Sequence, residues 1–137
     1  MSRFATAGHL ASWAGMCPGN NESAGKRLHS RTRHGDTWLK TALFLAGIAA
    51  ARTKGTYLGA QYRRLVPHRG GKRATVAVGH SILKAAWHML HDLVPYQDLG
   101  ADYFTNRLGK ERQTRRLLAQ LAALGVQVSL DSNPATT

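Results

Sequence analysis

Apolar residues recur every three or four positions over long stretches of the chain, and this spacing limits its possible folds more than any other feature. From Ala74 to Leu93 the repeat predicts one long helix, with a strand at Thr75 to Val78 as the alternative. Shorter helices are predicted from Thr6 to Ala14, from the capping residue Asp36 to Gly55, from Thr56 to the residue before Pro67, and from Lys110 to Leu124.

Between these helices the pattern predicts two other kinds of segment. Met16 to Gly35 has no sustained period and holds Pro18 and several glycines, which is typical of a loop. Val126 to Leu130 alternates like a strand. We therefore predict a mainly α fold: a compact helical domain with a long basic loop near the N-terminus and a short extended C-terminal segment. One domain is expected over residues 1–130, followed by a flexible tail over 131–137.

The charge balance indicates a polyanionic partner. The chain has 19 Lys and Arg against 7 Asp and Glu, which gives a net charge of +12. In a chain of this size such an excess favours nucleic acid, with packing in a ribosome-like particle or on an anionic membrane surface as the other candidates. No apolar stretch is long enough to span a membrane, and no signal peptide follows the first methionine. A cytoplasmic, nucleoid-associated protein is expected.

Most of the basic residues fall into three clusters, at 22–35, 63–73 and 107–116, which hold four, five and five of the 19. Each cluster lies at a predicted turn or helix end, where side chains and free backbone N–H groups can converge on phosphates. Solvated faces are the alternative interpretation of any one cluster. The residues we predict to contact phosphate are Lys26, Arg27, Arg31, Arg33, Arg63, Arg64, Arg69, Lys72 and Arg73.

Ser23 is the candidate nucleophile, because it lies in the basic loop beside small residues and cations. Ala24 and Gly25 would let a phosphodiester approach the backbone, and Lys26 and Arg27 would stabilise the charge of the transition state. By itself, however, this run is more typical of a phosphate-contacting loop or a plain turn. It is not a Walker A loop, because Arg27 follows Lys26 where that motif needs Ser or Thr.

Other catalytic classes are poorly supported. Cys17 is the only cysteine, which excludes an internal disulfide and favours a small, buried apolar role. His88 and His91 have helical spacing, but no second cysteine or Glu-x-x-His array completes a metal shell, so no metal site is predicted in this chain.

A longer string of residues resembles a known family. It runs from Phe4 through Thr6-Ala7, His9 to Met16 and Pro18-Gly19 to the block Glu22 to Arg27, and continues through Arg31 to Lys40. Weaker likeness follows at Tyr62 to Leu65, Gly71 to Ala74, Ala77-Val78 and Leu99 to Phe104. These motifs resemble the IS-one-ten-type insertion-sequence transposases, a DEDD, bridge-RNA-guided group, and specifically their C-terminal serine-carrying domain.

The resemblance implies a composite enzyme. A RuvC-like N-terminal domain would supply four acidic ligands for Mg²⁺, and Ser23 would attack a DNA phosphodiester to form a phosphoserine link. It also implies contact with DNA and with a structured guide RNA, pairing with the RuvC-like acidic domain in cis or in trans, and a homo-oligomer when complete. This chain is expected to bind no cofactor itself.

The sequence departs from the family pattern in two ways. The acidic domain is missing from these 137 residues, and Ser30 stands where glycine is common. The prediction is therefore a transposase domain that binds DNA and supplies a serine for strand cleavage and rejoining, and that is inactive without its acidic domain. The alternative is a non-catalytic basic helical module that binds RNA or DNA. A third possibility, an assembly element, rests on Leu117, Leu121 and Leu124.

Overall fold

The computed structural model of the protein describes residues 2–19, 21–29, 31–107 and 110–126. Within them the chain is mainly helical, as predicted, and it divides into two compact units, Met1–Asp102 and Tyr103–Thr137. The first unit contains α1 (Ala7–Trp13), β1 (Asn21–Ser23), β2 (Lys26–His29), α2 (Thr37–Arg52), α3 (Tyr57–Arg69) and α4 (Gly71–Asp92). The second contains α5 (Tyr103–Asn106) and α6 (Lys110–Ala123).

Side-chain hydrogen bonds cap the N-termini of α1, α2 and α3. Thr6 accepts a hydrogen bond from the His9 amide, Asp36 from the Leu39 amide, and Thr56 from the Gly59 amide. Each cap satisfies one of the backbone donors that a helix leaves free in its first turn. The predicted start of the second helix at Asp36 is confirmed.

Helix α4 is the centre of the first unit, since α1, α2 and α3 all pack against it. Val78 is fully buried on it, and Leu83 and Trp87 join Leu10 and Ala11 of α1 in the core. The Trp87 indole donates a hydrogen bond of 3.1 Å to the Phe4 carbonyl, which ties the start of the chain to the end of α4. The long-helix prediction is confirmed, and the alternative of a strand at Thr75 to Val78 is wrong.

The sequence predicts that α3 ends before Pro67. This prediction is wrong, because the helix continues to Arg69. Proline costs a helix one backbone hydrogen bond, but packing against α4 outweighs this local cost, and the Gly70 amide closes the last turn on the Val66 carbonyl at 2.9 Å. The basic cluster at 63–73, predicted to lie at a turn or helix end, therefore spans the junction of α3 and α4.

The long N-terminal loop is not wholly irregular, because β1 and β2 form an antiparallel hairpin inside it. This corrects the loop prediction. In the second unit, α6 matches its predicted position, whereas α5 was not predicted. Most of the extended segment predicted at Val126 to Leu130, and all of the tail at 131–137, lie outside the described residues. Over the part of the chain that the structure describes, no helix has the length and apolar character to cross a membrane.

Candidate nucleic-acid interface

The segment between α1 and α2 folds as a hairpin arm, residues 17–33. Its tip is a two-residue turn in which Ala24 has φ 50° and Gly25 has φ 73°. Positive φ at both central residues is characteristic of the type I′ turn, whose twist matches that of paired strands. Gly25 adopts this conformation freely, whereas Ala24 has a Cβ that makes it unfavourable.

Ser23 and Lys26 flank this turn and are paired with each other across it. Both side chains are exposed to solvent. The next pair in register is Glu22 with Arg27, and a bulge follows before Asn21 pairs with His29. The hairpin therefore brings the candidate nucleophile next to a lysine at the exposed turn of the arm.

Backbone pairing continues towards the base of the arm. The Gly19 amide donates to the Arg31 carbonyl at 2.7 Å, and an isolated bridge joins Pro18 to Thr32. The side chains of Arg31 and Arg33 are exposed to solvent. Both of these predicted phosphate contacts thus lie after β2, in the part of the arm that leads back to α2.

Two features fix the arm to the helical core. The Lys40 ammonium on α2 donates hydrogen bonds of 3.1 Å to the Thr32 hydroxyl and to the Arg33 carbonyl. At the base, Gly15 and Gly35 allow two stretches of backbone to meet more closely than a Cβ would permit. Sequence reasoning did not find the role of Lys40, because nothing in one sequence shows that this lysine faces the chain seven and eight residues before it.

A second basic surface lies where α3 meets α4. We call the exposed Lys and Arg side chains of α3 and of the first turn of α4 the corner patch; its members are Arg63, Arg64, Arg69, Lys72 and Arg73. Gly70, with φ 77°, connects the two helices at this corner. Arg69, Lys72 and Arg73 lie at this junction, whereas Arg63 and Arg64 lie in the middle of α3. None of the five belongs to the hairpin arm that carries Ser23 and Lys26.

The third basic cluster belongs to the second unit. Arg107 follows α5, and Arg112, Arg115 and Arg116 lie on α6 with exposed side chains. Leu117 on the same helix and Leu124, the residue after its end, are also exposed.

The histidines proposed and rejected as metal ligands have other contacts. The His91 ring lies 2.7 Å from one Asp92 oxygen, and the His88 ring lies 3.2 Å from the other. The hydrogen bond with His91, followed by the weaker effect of the one with His88, lowers the pKa of Asp92. His91 also stacks on Trp87 at 4.3 Å. Among the described residues, no group of three or more His, Cys, Asp or Glu side chains is placed to hold a metal ion.

Two further titratable side chains bear on the predictions. Cys17 is half-buried and packs against the core, in agreement with its predicted apolar role. His80 on α4 is also half-buried, and this burial, followed by the nearby Lys84 charge, lowers the pKa of its imidazole.

Together these features define a basic helical domain whose exposed cations suit a polyanionic partner. Residues 1–63, which span α1, the hairpin arm, α2 and the first half of α3, match the Transposase IS116/IS110/IS902 family. This part of the chain is a domain of that family, the C-terminal domain of IS110 transposases. The resemblance inferred from the sequence is confirmed there. Searches among curated proteins and among solved structures found no match.

Proposed function

We propose that this domain binds DNA and supplies Ser23 as the nucleophile for strand cleavage and rejoining during transposition of an insertion sequence. The observation that carries the proposal is the position of Ser23, exposed at the tip of a basic hairpin and paired with Lys26. A serine that attacks a phosphodiester must be accessible to the DNA, and its place beside an exposed hairpin turn gives it that access.

The covalent step is a transesterification. The Ser23 hydroxyl loses its proton as its oxygen bonds to phosphorus, and the bond from phosphorus to a deoxyribose oxygen breaks. That oxygen leaves as a hydroxyl group after it takes up a proton. Rejoining reverses the step, since a deoxyribose hydroxyl attacks the phosphoserine and releases Ser23.

Lys26 and the exposed arginines have separate roles in this proposal. Lys26 is close enough in register to stabilise the negative charge that builds up on the phosphoryl oxygens. Arg31 and Arg33, with Arg27 proposed from the sequence alone, contact neighbouring phosphates along the arm. The corner patch positions a further part of the duplex, because arginine and lysine contacts to phosphate set register without reading sequence.

The proposal assigns the metal chemistry to a partner. A serine hydroxyl near its ordinary pKa is a weak nucleophile, and the described residues offer no carboxylate cluster for a metal. We infer that a RuvC-like acidic domain supplies Mg²⁺, that a structured guide RNA takes part, and that the complete assembly is a homo-oligomer. Family membership supports a role in transposition, whereas these partners follow only from the resemblance.

The test is to trap the covalent adduct. The chain is combined with an acidic RuvC-like domain, Mg²⁺, guide RNA and donor DNA, and the protein–DNA linkage is mapped by mass spectrometry. Ser23→Ala should abolish the adduct and leave DNA binding unchanged, whereas the control Ser12→Ala, an exposed serine on α1, should keep both. A linkage at Ser12, Ser30 or Tyr62 would show that the nucleophile is assigned wrongly.

DNA binding is tested separately on the chain alone. With about six phosphate contacts, the logarithm of the association constant should fall against the logarithm of salt concentration with a slope on the order of −5. Little sequence preference is expected. Binding that stays constant from low to high salt would contradict the proposal, and intact binding with no adduct under complete conditions would favour a non-catalytic basic module.

A further inference from the structure

Trp38, the second residue of α2, is 88% exposed to solvent. Indole is the largest apolar side chain, and in this protein Trp87 shows the usual behaviour with 6% exposure. The core face of α2 is formed by other residues, Leu43 and Gly47 among them. Trp38 therefore does not serve the core of the first unit.

The segment that precedes Trp38 is basic. Arg31 and Arg33 lie in it and are exposed, and Lys40 holds this segment against the first turns of α2. The one acidic side chain nearby in sequence, Asp36, caps the helix by accepting from the Leu39 amide at 2.7 Å. An exposed aromatic ring that follows two exposed arginines in the sequence, on a chain with a net charge of +12, suits a nucleic acid better than an apolar protein surface, because the cores of protein interfaces are depleted in charge.

An open groove lies on the adjacent face of the same helical turns. It has a volume of about 350 Å³, and its lining includes His34, Gly35, Thr37, Lys40, Thr41 and Phe44. At 100° per residue, Thr37 and Thr41 both lie to one side of Trp38, about 100° and about 60° from it around the helix. The first two turns of α2 thus offer a stacking ring beside a recess with polar and apolar walls.

We propose that Trp38 is a stacking platform for an unpaired base of the bound DNA. This inference rests on the proposed function, since it takes DNA as the ligand. It adds that the bound DNA has at least one unpaired base. In an intact duplex both faces of an internal base are already stacked, so an indole gains this contact only where a strand is opened or a base is turned out. The domain is then selective for DNA with unpaired bases, whatever their sequence, because every base has a π face.

The experiment compares Trp38→Ala, Trp38→Phe and the control Leu45→Ala, which removes another exposed apolar side chain from α2. Fluorescence anisotropy of the full chain measures affinity for a labelled single-stranded DNA oligonucleotide and for the matching duplex. We expect Trp38→Ala to weaken single-strand binding on the order of 10-fold or more, since a stacked base contributes roughly 1–3 kcal/mol. Trp38→Phe should retain most of the affinity, and duplex binding should not change.

Other outcomes would overturn the inference. Equal weakening for single strand and duplex would show a general loss of binding, and a matching effect of Leu45→Ala would indicate an apolar protein-docking face. An RNA oligonucleotide of the same sequence is tested in parallel. If Trp38→Ala weakened binding to RNA alone, the stacked base would belong to RNA and not to DNA. If the unsubstituted chain bound neither form of DNA, the proposed function would fail. If it bound both but Trp38→Ala had no effect, only this inference would fail.

Discussion

Gly15 and Gly35 bring two backbone segments together where the hairpin arm joins the core. A Cβ on Gly15 would lie 2.9 Å from the Gly35 amide nitrogen and 2.7 Å from the Arg33 carbonyl oxygen. Met16, the next residue, is buried in the core. The arm that presents Ser23 is therefore held by a backbone contact that requires glycine on both sides.

The first prediction follows from this contact. Gly35→Ala places a methyl group against the backbone of Ala14 and Gly15, which cannot move without disturbing the end of α1. Overpacking of this kind costs about 1–3 kcal/mol, so denaturant unfolding should show a loss of that size. The matched control is Gly8→Ala in α1, where the nearest atom would be at an ordinary 3.6 Å and alanine favours the helix. A Gly35→Ala variant as stable as the parent would contradict the prediction.

The helices could be predicted because their signals are local. Asp36 caps α2, and apolar spacing marks α4 over its whole length. The end of α3 could not be predicted, because the local effect of Pro67 is outweighed by contacts with α4, which comes later in the chain. Propensity rules describe isolated segments, and tertiary packing overrides them here.

The hairpin shows the other limit of sequence reasoning. Its turn is Ala24-Gly25, not the Asn-Gly or Asp-Gly that marks most hairpins of this type, and its strands lack apolar alternation. Ser23 and Lys26 could be selected by residue type, but their pairing across the turn could not. It depends on strands of three and four residues whose base is held by Lys40 and by the glycine contact.

The corner patch gives the second prediction. Arg69→Glu with Arg73→Glu should leave the free energy of unfolding within about 0.5 kcal/mol, because both side chains are exposed. A glutamate is unfavourable in the last turn of α3 and favourable in the first turn of α4, so the helix-dipole effects offset. Affinity for DNA, measured by filter retention, should fall, and the salt dependence should become shallower by about two charges.

Two variants control for charge alone. Arg69→Lys with Arg73→Lys keeps both charges and should keep most of the affinity. Arg52→Glu with Lys54→Glu changes net charge equally at exposed residues outside the corner patch and should weaken binding less. Loss of the helical circular dichroism in the Arg69 and Arg73 variant would mean that these arginines are structural.

His80 gives a prediction about pH. Burial and Lys84 lower the pKa of this imidazole, so the folded chain holds it neutral at pH values where the unfolded chain, with a pKa near 6.5, binds a proton. The stability that this difference represents is present above pH 6.5 and is lost as the pH falls through that value towards the folded pKa. In His80→Gln, unfolding free energy should therefore decline less over this range than in the parent. The control His34→Gln removes an exposed histidine and should leave the decline as it is; an unchanged decline in His80→Gln would refute the assignment.

The last prediction concerns the turn that sets Ser23 opposite Lys26. Gly25→Val has free space for its side chain, since no atom of the described residues lies within 4 Å of a Cβ there, so its effect is expected to come from the backbone. A left-handed φ costs an L-residue roughly 1–2 kcal/mol, and a β-branched residue resists it most. The turn should change type and shift the pairing, so adduct yield in the complete system should drop while the melting curve of the helical core changes little. Ala24→Gly is the matched control, because it relieves the same strain at φ 50° and should keep the adduct. Amide chemical shifts of Ser23 and Lys26 report the pairing directly. If Gly25→Val moved those shifts but left the adduct yield unchanged, the hairpin geometry would not be what positions the nucleophile.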